Sequence, residues 1–165
     1  AGRAEAFARD VAGQHAIRAS FVREVRDAVS GADVVATITA AREPVLLGEW
    51  LAPGMHVNLV GASSRAAREA DDTVVTRSRF FVDYRGSALA QAGELLHACG
   101  DDARTAETAI AAEIGEVLSG AVPGRRTADE ITVYKSLGIA AQDLALAHVA
   151  LARARAAGVG TPVAL

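Results

Sequence analysis

Cysteine, lysine and aromatic side chains are scarce in this 165-residue chain. Cys99 is the only cysteine, so neither an intrachain disulfide framework nor a C-x-x-C pair can form. Four histidines, His15, His56, His97 and His148, fall at no metal-ligand spacing, and no metal site is expected. No apolar run approaches the roughly 20 residues that a helical membrane span needs. The first residues also lack the basic-then-apolar plan of a secretory signal. A cytoplasmic protein without a membrane partner is the expectation. Seventeen basic against twenty acidic side chains leave a net charge of -3. Nucleic-acid binding, which calls for a strongly basic face, is therefore not expected. Two further absences concern chemistry. No G-x-S-x-G elbow is present, which argues against a serine hydrolase. No G-x-G-x-x-G phosphate loop is present either, and the glycines at 54–61 and 158–160 have neither its spacing nor its strand-to-helix setting. Either the domain binds no dinucleotide, or its phosphate loop lies before Ala1.

What remains is a chain built to fold, with 51% hydrophobic and 22% charged residues. Ala4, Phe7, Ala8 and Val11 recur at helical spacing and predict a helix over residues 4–12. Residues 15–21 are compatible with a short strand, and residues 22–30 with a second helix ending at Gly31. The β-branched run at 33–39 (DVVATIT) reads as a strand buried on both faces. Residues 43–51 predict a helical turn over Pro44, followed by a second buried strand at 55–60 (MHVNLV). A helical or irregular stretch over 65–75 leads to a last short strand at 79–83 (RFFVD). From Ser87 the pattern turns helical, with candidates at 87–99 and 106–118 and a Pro/Gly loop at 120–126. Thr127-Ala128-Asp129-Glu130 has the form of a capping box. The final helix starts there, or later with Ser136 as the cap of residues 137–157.

Strands alternating with helical intervals are the signature of a parallel sheet. Ligands of such sheets bind beyond the carboxyl ends of the strands. That rule selects residues 37–41, 60–64 and 83–85, the first two rich in small side chains. Strand-ending or helix-capping is the competing role for their Thr and Ser residues. His56, inside a strand, is expected to be packed rather than catalytic. The pairs Asp71-Asp72 and Asp101-Asp102 are expected to cap helices or face solvent. Arg125-Arg126 reads as a solvated loop, and Lys135 as either an anion contact or an ordinary surface lysine.

Five strings occur in order: SGADVVATITAAREPVLLGEWLAPGMHVNLVGAS (30–63), READD (68–72), FVD (81–83), EIGEVLSGAVPGR (113–125) and DEITVYKSLGIAAQD (129–143). Together they closely resemble the ornithine cyclodeaminase/mu-crystallin family. The resemblance runs from Ala4 to about Ala157 and implies that these residues are the C-terminal half of a longer polypeptide. The implied fold is α/β, a Rossmann-type doubly wound parallel sheet. Its first strand and Gly-rich loop would be absent here, and C-terminal helices would follow. Residues 1–128 would be a partial NAD(P)-binding domain, and 129–165 a helical segment returning to a substrate and dimerisation domain.

By the same resemblance the cofactor is NAD or NADP, the partner a small amino or imino acid, and the full-length protein a homodimer. Arg3 would approach the adenosine ribose or its phosphate. Thr37 and Thr39 would lie near the adenine and the nicotinamide-side ribose. Val60, Gly61 and Ser136 would line the nicotinamide end. Ser63 occupies a substrate-side position where some members carry an aspartate, and Gln91 one where a glutamate faces the ligand. A serine hydroxyl is no general base near neutral pH without an activating partner. That puts ornithine cyclodeaminase chemistry in doubt. Reduction of a cyclic imino acid is the first reading and deamination of a small amino acid the second. The alternative is a non-catalytic, NADPH-dependent ligand-binding protein of the mu-crystallin kind.

Overall fold

A computed structural model describes residues 2–161 and 163. Five short strands, β1 (Val34–Thr37), β2 (His56–Leu59), β3 (Arg79–Val82), β4 (Ile110–Glu113) and β5 (Thr132–Lys135), form one sheet in the order β1-β2-β5-β3-β4. Every pairing is parallel. The fold is α/β and Rossmann-like. Of the four expected strands, those at 33–39, 55–60 and 79–83 are present, each shorter than its apolar run. The strand at 79–83 is not the last, because β4 and β5 follow.

Parallel strands need crossovers, and helices supply them. Between β2 and β3 runs α3 (Asp72–Thr76), capped by the Asp71 side chain on the Val74 amide. Between β3 and β4 run α4 (Arg85–Gln91), α5 (Gly93–Ala98) and α6 (Ala103–Ala109), the last capped by Asp102 on the Thr105 amide. Both aspartate pairs thus do cap helices. Val57, Leu59, Val133, Phe80 and Val82 from the sheet pack with Val74, Leu95 and Leu96 into one core. On the opposite face α7 (Ile114–Leu118) approaches the sheet, where Ile114, Val117, Phe81 and Tyr134 line a cavity of about 100 Å³.

Several local expectations fail for physical reasons. The strand expected over residues 15–21 does not form. The chain leaves α1 (Gly2–His15) through Ala16 at φ 51°, and no ladder partner receives it. Residues 43–51 hold only a 3-10 turn at Gly48–Trp50, because Leu46 bridges to Ala70 and the Gly48 amide donates to Asp71. A short helix, α2 (Val25–Val29), occupies part of the expected 22–30. The helical candidate 87–99 is broken at Ala92, and 106–118 is interrupted by β4. Thr127–Glu130 opens no helix: the Glu130 carboxylate turns back to Arg126, and the chain enters β5. The last helix, α8 (Ala140–Ala157), is preceded by Ile139 without a side-chain cap, so Ser136 does not cap it.

The boundary expected at 128/129 falls just before the strand that β2 and β3 flank. Thr132–Lys135 lies in the sheet between β2 and β3, and α8 follows it. Neither α1 nor α8 contains a buried residue. β1, at the edge of the sheet, leaves Val34 and Ile38 exposed. No helix of the described residues is long and apolar enough to cross a membrane.

Candidate functional site at the carboxyl edge of the sheet

Register aligns the strand ends. Thr37 sits beside Leu59, Leu59 beside Lys135, Lys135 beside Val82, and Val82 beside Glu113. The next residues continue the ladder, since the Val60 amide donates to the Thr37 carbonyl at 3.0 Å and the Ser136 amide to the Leu59 carbonyl at 2.9 Å. Alternation along a strand sends Thr37, Leu59 and Lys135 into the core. Ile38 is 72% exposed and Val60 39%. The candidates Thr37, Thr39, Val60, Gly61 and Ser136 therefore meet along one edge, with Ser63 exposed on the loop that follows Gly61.

Beneath that edge lies a buried charged cluster. Glu69 has no exposed surface, and its carboxylate accepts hydrogen bonds from the Thr37 hydroxyl (2.9 Å), the Thr39 amide (2.5 Å) and the Gly61 amide (2.7 Å). Burial pushes this carboxyl up. The hydrogen bonds from Thr39, Gly61 and Thr37 outweigh it and hold the group below the usual carboxylate range. The amide of Glu69 donates to Glu94 at 2.9 Å. Glu94 in turn lies 3.3 Å from the Lys135 ammonium, both fully buried, and Lys135 also donates to the Ala62 carbonyl. Lys135 is thus not a surface lysine, and the anion it meets is the buried Glu94 carboxylate of the same chain. Removing one partner of such a pair strands a buried charge, at a cost of about 3–5 kcal/mol.

Two further groups shape the edge. The Asp83 carboxylate accepts from the amides of Tyr84 (2.9 Å), Leu137 (2.7 Å) and Gly138 (2.6 Å), which fixes the turn after Ser136. Gly61 is enclosed: a Cβ there would stand 2.1 Å from the Thr39 carbonyl oxygen and 2.3 Å from a Glu69 oxygen. His56 is packed as expected, its ring nitrogens meeting Thr132 and Asn58. Arg125 is not merely solvated, since it reaches the carbonyls of Ala128, Glu130 and Met55.

Not every candidate comes to the edge as a free group. Thr37 turns its hydroxyl to Glu69 and away from the open surface. Thr39 keeps its side chain outside, where its oxygen accepts from the Ala41 amide at 3.1 Å. Gln91 is exposed at the last turn of α4, and Arg3 is exposed on α1. Neither has a side-chain hydrogen bond among the described residues. Glu69 and Glu94 are not singled out by the sequence, whereas Asp83 lies in the strand-end segment 83–85 that the parallel-sheet rule selects. Glu69 stands ten residues after β2 and Glu94 inside α5, so no local spacing marks either as part of the edge. No group of three or more His, Cys, Asp or Glu that could hold a metal occurs among the described residues.

A cavity of about 610 Å³ opens at the other end of the strands and is lined in part by Arg77, Arg79, Arg126 and Glu130. Its arginines are already engaged: Arg77 with the carbonyls of Gly48 and Leu51, Arg79 with that of Pro123, and Arg126 with Glu130. The carboxyl edge keeps the side chains of Thr39 and Ser63 and the apolar surface of Ile38 and Val60 exposed, which makes it the better candidate.

The model of the ornithine cyclodeaminase/mu-crystallin family matches residues 2–158. The chain belongs to this family. Among its relatives, the ketimine reductase mu-crystallin of Mus musculus is 44% identical over 146 residues, which are 88% of this chain and 42% of the mouse protein. The Δ1-pyrroline-2-carboxylate reductase of Paracoccus denitrificans is 42% identical over 129 residues, covering 76% of this chain and 40% of that enzyme. A solved structure of the Thermococcus litoralis Δ1-pyrroline-2-carboxylate reductase, in complex with NADH and L-proline, superimposes with a TM-score of 0.90 at 34% identity. It covers 98% of this chain and 50% of that one. The chain thus spans half or less of the length of these family members.

Proposed function

We propose that the full-length protein carrying this chain is an NAD(P)-dependent oxidoreductase that reduces a small cyclic imino acid such as pyrroline-2-carboxylate. Oxidative deamination of a small amino acid is the second reaction of the same class. The observation that carries this reading is the level carboxyl edge, where Thr39, Val60, Gly61 and Ser136 meet on a backbone that matches an NADH-bound reductase. The residues present fit a nicotinamide nucleotide. Ile38 and Val60 offer exposed apolar surface to a planar ring, Thr39 and Ser136 offer hydroxyls at its rim, and Gly61 leaves the backbone bare.

The nucleotide, when bound, supplies the hydride. The chain's own part is to orient and to exclude. Val60 and Gly61 form the floor of the nicotinamide end, and Ser136 holds its rim. Thr37 acts from below, through Glu69. Ser63 stands on the substrate side, where its hydroxyl passes a proton through water to the imine nitrogen but does not abstract one from carbon. Gln91, exposed at the last turn of α4, is assigned to the substrate side by its family position. Arg3 serves the adenosine end. On this reading residues up to Gly138 are the greater part of the nucleotide-binding domain. α8, with exposed Leu144, Leu146 and Leu151, joins a second domain in a homodimer.

Incubating the full-length protein with NADH or NADPH and pyrroline-2-carboxylate tests the proposal. Consumption of reduced nucleotide with matching formation of proline supports a reductase. Tight nucleotide binding without turnover of any cyclic ketimine would instead establish the ligand-binding alternative, with which Ser63 is equally compatible.

A further inference from the structure

We infer that Glu69 is a positioning residue for the nicotinamide end of the cofactor site, an inference that rests on the nucleotide reading above. Two loops form that end, one following β1 and one following β2, and no strand hydrogen bond joins Thr39 to Gly61. A single carboxylate does so. One of its oxygens takes the Thr39 amide, and the other takes the Gly61 amide together with the Thr37 hydroxyl. The Gly61–Ala62 loop is also held from its other side, because Lys135 donates to the Ala62 carbonyl and pairs with Glu94. Glu94 then accepts from the amide of Glu69, which closes a ring of contacts: Glu69, Gly61–Ala62, Lys135, Glu94 and back to Glu69. Every member of that ring is buried or backbone, so it touches no ligand, yet it sets the spacing between Thr39 and Val60-Gly61 to which a ring must fit.

The chemistry of the side chain makes the idea specific. An amide has one accepting oxygen, so Glu69→Gln must set its NH₂ against the amide of Thr39 or that of Gly61, whichever way it turns. Glu69→Asp keeps the charge but is shorter by about 1.5 Å, one carbon–carbon bond, and cannot reach both loops. Gly61 admits no compensating movement toward Thr39, given how close its backbone already stands.

The test measures NADH affinity of the full-length protein by nucleotide fluorescence, beside the melting temperature. Glu69→Gln is expected to weaken NADH binding by about tenfold or more, the worth of one lost hydrogen bond to a charged acceptor. Glu69→Asp is expected to fall between the variant and the wild type. The control is Leu51→Ala, a buried side chain before β2 at the far end of the sheet. It is expected to lower the melting temperature while leaving NADH affinity within about twofold. Should Glu69→Gln fail to fold, Glu69→Asp decides alone against the same control. If the Glu69 variants lose no more affinity than Leu51→Ala, Glu69 is only a structural group and the inference is overturned. A wild-type protein that binds neither NADH nor NADPH would instead remove the functional reading itself.

Discussion

At Gly61 a single methyl group decides whether the edge can form. Its Cβ would meet the Thr39 carbonyl, which is backbone and cannot swing aside. Gly61→Ala is therefore expected to destabilise the chain by about 3 kcal/mol, at the upper end of ordinary overpacking. Thermal or urea denaturation checks this, and a variant as stable as the wild type would show that the two loops are looser than described. Glu69 sets a second expectation, in pH. Its carboxyl titrates lower in the fold than its ordinary value of 4.5, so its stabilising effect is complete above that pH. The effect is lost as pH falls through the lower folded value. Asp102 and Glu130, both held low by hydrogen bonds, act in the same sense. Stability should decline on acidification below about 4.5, and Glu69→Gln should flatten part of that decline. An unchanged acid limb in the variant would contradict the assignment. These residue-scale features were largely hidden in the sequence. Glu69 lies 32 positions from Thr37, and Lys135 lies 41 from Glu94, so no local pattern joins them. The lone lysine was conspicuous, but its burial was not.

Among the elements, the apolar runs of β1, β2 and β3 announced themselves, but β1 is not buried on both faces as its run suggests, because it forms the edge of the sheet and leaves Val34 exposed. β4 did not announce itself. Its sequence, Ile-Ala-Ala-Glu, sits in an alanine-rich stretch whose apolar spacing continues a helix, and alanine has little strand preference of its own. β5 was obscured by Thr127–Glu130, whose spacing imitates a helix start while its side chains serve a turn. α1 and α8 were legible as helices, but periodicity could not reveal that neither packs on the sheet. Because α8 buries nothing within this chain, removing residues 140–165 is expected to change its unfolding free energy by no more than about 0.5 kcal/mol, as for other surface changes. Chemical denaturation of the shortened chain measures this. A loss of several kcal/mol would mean that α8 folds back onto the sheet.

Taken whole, the molecule presents the proposed cofactor edge without a Gly-rich phosphate loop in its sequence, and it matches half or less of its relatives' length. The 165 residues by themselves are accordingly expected to oxidise no NADH in the presence of pyrroline-2-carboxylate. Measurable turnover by this chain alone would show that the edge suffices without further cofactor contacts. The family and the α/β sheet were readable from ordered strings and strand patterns. The site was readable only as an edge, because register and buried charge, not residue type, decide which groups reach it. Whether this edge holds the nicotinamide nucleotide is decided by a structure of the full-length protein with bound NADH. The nicotinamide ring is expected against Val60 and Gly61, with Thr39 and Ser136 at its rim. A nucleotide seated instead among Arg77, Arg79 and Arg126 at the opposite end of the strands would contradict that placement.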